Sequence, residues 1–221
     1  MKPLSYPVRP LGINQGFGSN ADYYAKFHDD FGNPMKGHDG IDFRAPHGTP
    51  VHAAHDGFAT FSTDVHGGEG VTIMSIGETD IGGAPTYYKT LYWHLCDAQK
   101  EPQYASPIIL ASGPVRVKKG DLIGYADNTG APFESSGDHL HFGFHPCDEK
   151  GHDIEPANGF RGNIDPTPYF DGNYADVSVV QAQVEAVAVV VSHMTPDASP
   201  VEVGLVEKVI SFIKQELNLM S

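Results

Sequence analysis

Asp138-His139-Leu140-His141-Phe142 lies inside residues 137–144, a run that alternates polar and apolar in part and reads as a β-strand. On a strand, residues i and i+2 point to the same face. His139 and His141 therefore stand on one surface, about 7 Å apart along the chain. One imidazole could hold a metal while its neighbour handles protons. The pair alone is weak evidence, because 12 histidines in 221 residues produce chance pairs, and an isolated pair is more often solvated or structural.

Working outward, short apolar runs punctuated by turns surround this stretch. Residues 13–18 read as a short strand ending in a glycine turn. Pro50-Val51-His52-Ala53-Ala54, Gly57-Phe58-Ala59-Thr60-Phe61 and residues 70–76 read as strands, with Asp56-Gly57 as a hairpin signal between the first two. Residues 87–94 form a further strand, and residues 115–125 read as strand, glycine turn, strand. Residues 97–114 and 127–136 are loops, and residues 163–170 close the body. Residues 21–31 carry Tyr23, Tyr24, Phe27 and Phe31 among polar groups, as a helical turn or a loop. Strands at this spacing, with no long helical pattern among them, predict a mainly β fold with an antiparallel sheet core.

After Gly172 the character changes. Val177, Val180, Val184, Val187 and Val191 follow 3-4-3-4 spacing, the stripe of a helix, although dense valines also permit a strand. Ser199-Pro200-Val201-Glu202 is a helix start with a serine cap and a glutamate three residues on. Val203, Val206, Ile210, Ile213 and Leu217 repeat the stripe. The expected organisation is a body over 1–172 and a short helical hairpin over 173–221. Its stripes at 177–219 would pack on each other, on a second copy in a homodimer, or on a protein partner.

The net charge of −14 argues against a nucleic-acid binder, which needs a basic stripe, and offers no polybasic patch to a membrane. No run of about 18 apolar residues predicts a membrane-spanning helix. The first residues, Met1-Lys2-Pro3-Leu4-Ser5-Tyr6-Pro7, lack the apolar core of a secretory signal. Cys96 and Cys147 could pair or remain free thiols; two cysteines make no disulfide framework.

A second constellation gives the histidine pair its meaning. His38 and Asp42 form His-x-Gly-x-Asp, and Gly40 between them permits a backbone geometry that a Cβ would hinder. Imidazole and carboxylate both suit Zn²⁺. With one histidine of the later pair there are three protein ligands, the usual catalytic zinc arrangement with a fourth position left for water.

These motifs resemble the lysostaphin-type, LytM-like zinc metallopeptidases. Gly37-His38-Asp39-Gly40-Ile41-Asp42-Phe43, with Gly48-Thr49-Pro50-Val51 and Asp56-Gly57 after it, looks like the family's first signature. Leu91-Tyr92-Trp93-His94-Leu95 looks like the middle one. Residues 117–124, Thr129-Gly130 and His139-Leu140-His141-Phe142 look like the last. The match runs from about Asn14 to Phe170. The resemblance implies one Zn²⁺ per chain held by His38, Asp42 and His141, with His94 and His139 as the paired catalytic histidines beside it. It implies an antiparallel β core with loops walling a groove, and hydrolysis of peptide bonds in peptidoglycan cross-links or stem peptides by a zinc-activated water.

The sequence departs from the family pattern in places. No tyrosine lies in the six residues before His38, where some relatives carry one, and Tyr23 and Tyr24 lie too far upstream to assign. Asp138 replaces the usual proline before the His-x-His, where it could tune His139 or remain a solvated loop acid. Insertions near 77–90 and 97–114 would lengthen the groove walls. The other histidines, His47 and His55 among them, read as surface or structural. The alternative function is a non-catalytic zinc-binding scaffold or activator in a cell-wall or virion assembly. A wall substrate lies outside the cytoplasm, so the expected settings are a phage-type lysin, a virion component or a chain lacking its leader.

Overall fold

The computed structural model describes residues 2–176 except 10, 107, 110, 133 and 134. Its strands, in chain order, are β1 (Leu4–Tyr6), β2 (Ile13–Gln15), β3 (Ile41–Phe43), β4 (Pro50–His52), β5 (Gly57–Thr63) and β6 (Glu69–Ser75). Then come β7 (Thr79–Ile81), β8 (Ala84–Trp93), β9 (Val115–Val117), β10 (Leu122–Tyr125), β11 (Leu140–Cys147) and β12 (Phe170–Tyr174). One helical turn, α1 (Ala21–Tyr24), and 3₁₀ turns at Pro102–Tyr104 and Thr167–Tyr169 complete the elements.

Among the described residues, the main sheet has eight strands. They run β2-β3-β11-β8-β6-β5-β9, with β7 folded onto β8, and every pairing is antiparallel. The mainly β, antiparallel expectation therefore holds. Two smaller pairs flank it: β4 with β10, antiparallel, and β1 with β12, parallel. No helix among the described residues is long and apolar enough to cross a membrane.

β11 is the central strand for function. It pairs β3 on one side and β8 on the other, and its run from Phe142 to His145 is buried. Strands covered on both faces lose simple alternation, which is why 137–144 alternates only in part. Phe142 meets Tyr92, Phe43 and Phe170 edge-on or tilted, at ring centroid distances of 5.2, 6.0 and 5.5 Å. Burying such a ring contributes about 1.5–3 kcal/mol by transfer from water. A buried polar chain crosses the core beside it. The Ala54 N–H donates to the Tyr92 hydroxyl (2.9 Å), Thr90 Oγ1 lies 3.0 Å from that oxygen, and His55 Nε2 lies 2.9 Å from Thr90 Oγ1.

Several local expectations take a definite form. β8 begins at Ala84, three residues before the expected strand. The region read as an insertion near 77–90 supplies the β7–β8 hairpin, turning on Gly82 and Gly83 at φ 68° and 99°. α1 is the helical-turn alternative for residues 21–31. Cys96 and Cys147 are buried and unpaired. β12 runs past Gly172 to Tyr174, and Ala175 N–H donates to Tyr6 O (2.8 Å). The helical hairpin expected over 173–221 lies, from residue 177 onward, outside the described residues.

Candidate metal centre

The sheet register assembles the site. In β11, His141 stands directly opposite Asp42 of β3 on one side and Trp93 of β8 on the other. Residues from three segments distant in sequence thus meet on adjacent strands. His38 enters from the loop before β3. That loop is fixed by two backbone bonds, His38 N–H to Ser19 O (3.0 Å) and Gly18 N–H to His38 O (2.8 Å). Gly40 is required by space: a Cβ there would lie 2.6 Å from Phe142 O and 2.7 Å from His141 Cε1.

His38 Nε2, Asp42 Oδ1 and His141 Nδ1 converge. The nitrogens are 3.1 Å apart, and they lie 3.2 Å (His38) and 3.1 Å (His141) from the oxygen. Tetrahedral N and O ligands at the usual zinc distances sit about 3.3 Å from one another, so the set fits one ion of that kind. The donor chemistry agrees. His38 Nδ1–H faces Gly16 O at 3.3 Å, which leaves Nε2 as a lone pair. One proton on His141 Nδ1 serves only one of its two neighbours well, whereas a divalent cation serves all three lone pairs. Burial opposes charge on Asp42, but the imidazoles of His141 and His38 against it outweigh burial and hold the carboxyl well below its ordinary range. Burial likewise opposes charge on His141, and the Asp42 hydrogen bond with the Asp39 and Asp42 charges reverses it, raising that imidazole.

His139 and His94 stand beside this triangle, their rings 4.7 Å apart. His139 donates from Nδ1 to Gly137 O (2.7 Å), and its Nε2 lies 3.5 Å from Asp42 Oδ1. His94 donates from Nδ1 to Thr129 O (2.7 Å). Both rings are therefore held in the tautomer that presents a bare Nε2. His94 also has φ 66°, a left-handed backbone that costs a non-glycine residue about 1–3 kcal/mol. The bond from Asp127 N–H to His94 O (2.7 Å) and the Thr129 anchor hold it there. Burial, with the charges of His141 and His139 adding to it, pushes His94 down to about 4, so it is neutral at neutral pH.

The structure adds one residue that sequence spacing left unassigned. Tyr24, at the end of α1, lies with its ring 5.5 Å from that of His38, and its hydroxyl accepts from Gln15 Nε2 (2.8 Å). Burial, joined by the Asp42 and Asp39 charges, pushes its phenol up to about 12, which keeps the O–H available as a donor. The aromatic run at 23–31 was the available signal, but only folding brings it to the candidate metal ligands. Asp138 accepts from the His47 backbone N–H (3.2 Å).

A family model described as Peptidase family M23 matches residues 36–156. The DD-carboxypeptidase/endopeptidase Mpg of Neisseria meningitidis serogroup B is 34% identical over 141 residues, 61% of this chain and 27% of that protein. The chain thus spans about a quarter of the length of this relative. Among solved structures, a zinc-containing peptidase from Vibrio cholerae is 25% identical over 69% of this chain and 38% of its own, with TM-score 0.46. LytU is 29% identical over 73% of this chain and 85% of its own, with TM-score 0.44.

Proposed function

The chain belongs to peptidase family M23, a family of peptidoglycan-related metallopeptidases, and on that premise we propose that it is a zinc-dependent endopeptidase that cuts peptidoglycan cross-links or stem peptides. The observation that carries this reading is the convergence of His38, Asp42 and His141 with two imidazoles facing the same space. The relative named as a DD-carboxypeptidase/endopeptidase supports the substrate class. The reaction would take place at the cell wall, outside the cytoplasm.

In this reading His38 Nε2, Asp42 Oδ1 and His141 Nδ1 hold the ion. Bound zinc supplies Lewis acidity, which polarises a carbonyl and brings the pKa of water toward neutrality. The chain's own residues do the rest. His139 takes the proton from the attacking water at Nε2; the imidazolium that forms lies beside Asp42, and its tautomer is set in advance by Gly137 O. His94, buried and neutral, orients the water through its bare Nε2. The Tyr24 hydroxyl is the donor placed to stabilise a developing oxyanion. His139 then returns the proton to the leaving amine.

Mass spectrometry of muropeptides after digestion of purified cell walls tests the proposal and identifies the bond. New amino termini should appear with the zinc-loaded protein and vanish with a chelator. Intact muropeptides from every wall chemotype treated with zinc-loaded protein would overturn it.

A further inference from the structure

A second set of metal-type donors lies outside the triangle and shares no residue with it. His47, Cys96, Glu101 and Asp127 each offer one ligand atom, and these four atoms lie within 4.8 Å of one another. Cys96 and Glu101 flank one turn, and His47 and Asp127 come from two further segments, so no spacing in the sequence announces the set. The backbone places the inner two. Cys96 N–H donates to Tyr125 O (2.8 Å), Leu95 bridges Ala126, and Gly48 N–H donates to Ala126 O (2.8 Å). This knits the segments of Cys96, Asp127 and His47 side by side. Cys96 is fully buried. His47 lies at the surface, 2.8 Å from Asp127 Oδ1 through Nδ1 and 3.1 Å from Glu101 Oε2 through Nε2, with the Tyr104 ring edge-on at 5.0 Å.

We infer that these four residues form a second, structural site for a zinc-class divalent cation. One imidazole, one thiolate and two carboxylates supply four ligands, the number that closes a tetrahedral site, whereas the set built on His38 has only three. Sulfur and nitrogen donors select zinc or cobalt over calcium or magnesium. An imidazolium between two carboxylates would account for His47, Glu101 and Asp127; the adjacent Cys96 Sγ, within 4.8 Å of all three, donates to Ala126 O (3.4 Å) and would give up that proton on binding an ion. Contraction from 4.8 Å to the donor spacing of about 3.3–3.7 Å in a zinc site falls to the side chains of His47 and Glu101, both near the surface. Burial pushes the Cys96 thiol up to about 12, with Asp127 and Glu101 adding to the effect. Coordination would therefore release the thiol proton and the His47 proton to solvent as the S–metal and N–metal bonds form.

The place of this site gives it a purpose. Asp127 donates its N–H to His94 O (2.7 Å) and accepts at its carbonyl from His139 N–H (3.1 Å), while His47 N–H binds Asp138 beside it. An ion here would fasten the backbone that carries both catalytic-candidate histidines.

The test uses the whole 221-residue chain, stripped with a chelator and titrated with Co²⁺, which reports thiolate ligation by a near-ultraviolet sulfur-to-cobalt charge-transfer band. The expected result is two equivalents bound, one of them bringing the band. Cys96→Ser should abolish the band and reduce the stoichiometry from two to one. His47→Ala should weaken the band-forming step at least tenfold, and His38→Ala should keep the band while losing the other ion. Wild-type protein that binds one equivalent with no band would overturn the inference and leave the cluster an ion-pair network. A band that survives in Cys96→Ser would overturn it as well. Neither readout depends on peptidase activity.

Discussion

His139 and His141 are two residues apart and both reach Asp42, at 3.5 and 3.1 Å, yet they point different nitrogens at it. His141 offers Nδ1 from inside the triangle. His139 offers Nε2 from outside, with Nδ1 committed to Gly137 O. Their substitutions should therefore separate. His141→Ala should remove one of three ligands and lose zinc and activity together. His139→Ala should lower activity by about 10²–10⁴-fold, the usual range for a general base, and keep most of the zinc. Metal content by mass spectrometry beside turnover decides it, and equal zinc loss in both would undo the assignment. A second residue-scale prediction concerns His55, buried between Asp56 O (2.8 Å) and Thr90 Oγ1 (2.9 Å) and pushed by burial from 6.5 to about 4. The unfolded chain takes up this proton below about 6.5 and the folded chain only near 4. Stability should thus be fully present above pH 6.5, fall as pH drops toward 4, and flatten below. The shift corresponds to about 3 kcal/mol. Urea midpoints of chelated wild type and His55→Gln between pH 7.5 and 4 should show a shallower slope in the variant; parallel slopes would refute the linkage.

At the scale of elements, the site depends on β3, β11 and β8 lying in one register, because that register alone puts His141 between Asp42 and Trp93. Gly40 permits the approach. Gly40→Ala would drive a methyl group into Phe142 O and the His141 ring. Overpacking of this kind costs about 1–3 kcal/mol, and here it falls on a ligand. Zinc affinity, measured by competition with a chelator, should drop at least tenfold, and the denaturation midpoint of the metal-free protein should fall as well. Unchanged affinity would mean that the loop before β3 absorbs the methyl group without moving His141. What was legible beforehand follows the same logic. The apolar alternations announced β4 to β6, but the hairpin read at Asp56-Gly57 does not form, since β4 pairs β10 while β5 pairs β6 and β9; the fixed spacings around Gly40 and Leu140 marked His38, Asp42, His139 and His141. Those signals are local. Tyr24 could not be read, since its approach to His38 depends on how residues 16–19 fold back onto the ligand loop. The group of His47, Cys96, Glu101 and Asp127 was equally hidden, because its residues come from three segments that only folding brings together. The Ala84 start of β8 was obscured by Pro85, which is tolerated at a strand beginning.

For the whole molecule, the two ends of the body are fastened to each other. β1 pairs in parallel with β12, Ser5 Oγ donates to Asp171 Oδ2 (2.9 Å), and the Arg9 guanidinium lies 4.0 Å over the Tyr174 ring. Leu-Ser-Tyr is too short a run to announce a strand, so this closure was not foreseen. Phe170 is its apolar pin: it stacks on Tyr6 at 4.4 Å and meets Phe43 and Phe142, the neighbours in sequence of Asp42 and His141. The closure therefore supports the candidate metal ligands from behind, through two aromatic side chains on β3 and β11. Phe170→Ala should cost about 3–5 kcal/mol of stability and loosen zinc binding with no contact to the ion. Deleting residues 177–221, by contrast, leaves every residue named in this closure in place. That deletion should leave the thermal midpoint and zinc content of the body close to wild type, while the mass in solution reports whether 177–219 joins two copies. A truncated protein that loses zinc would show that the body needs the later residues to hold its ligands, and a Phe170→Ala protein of unchanged zinc affinity would show that the closure and the site are independent.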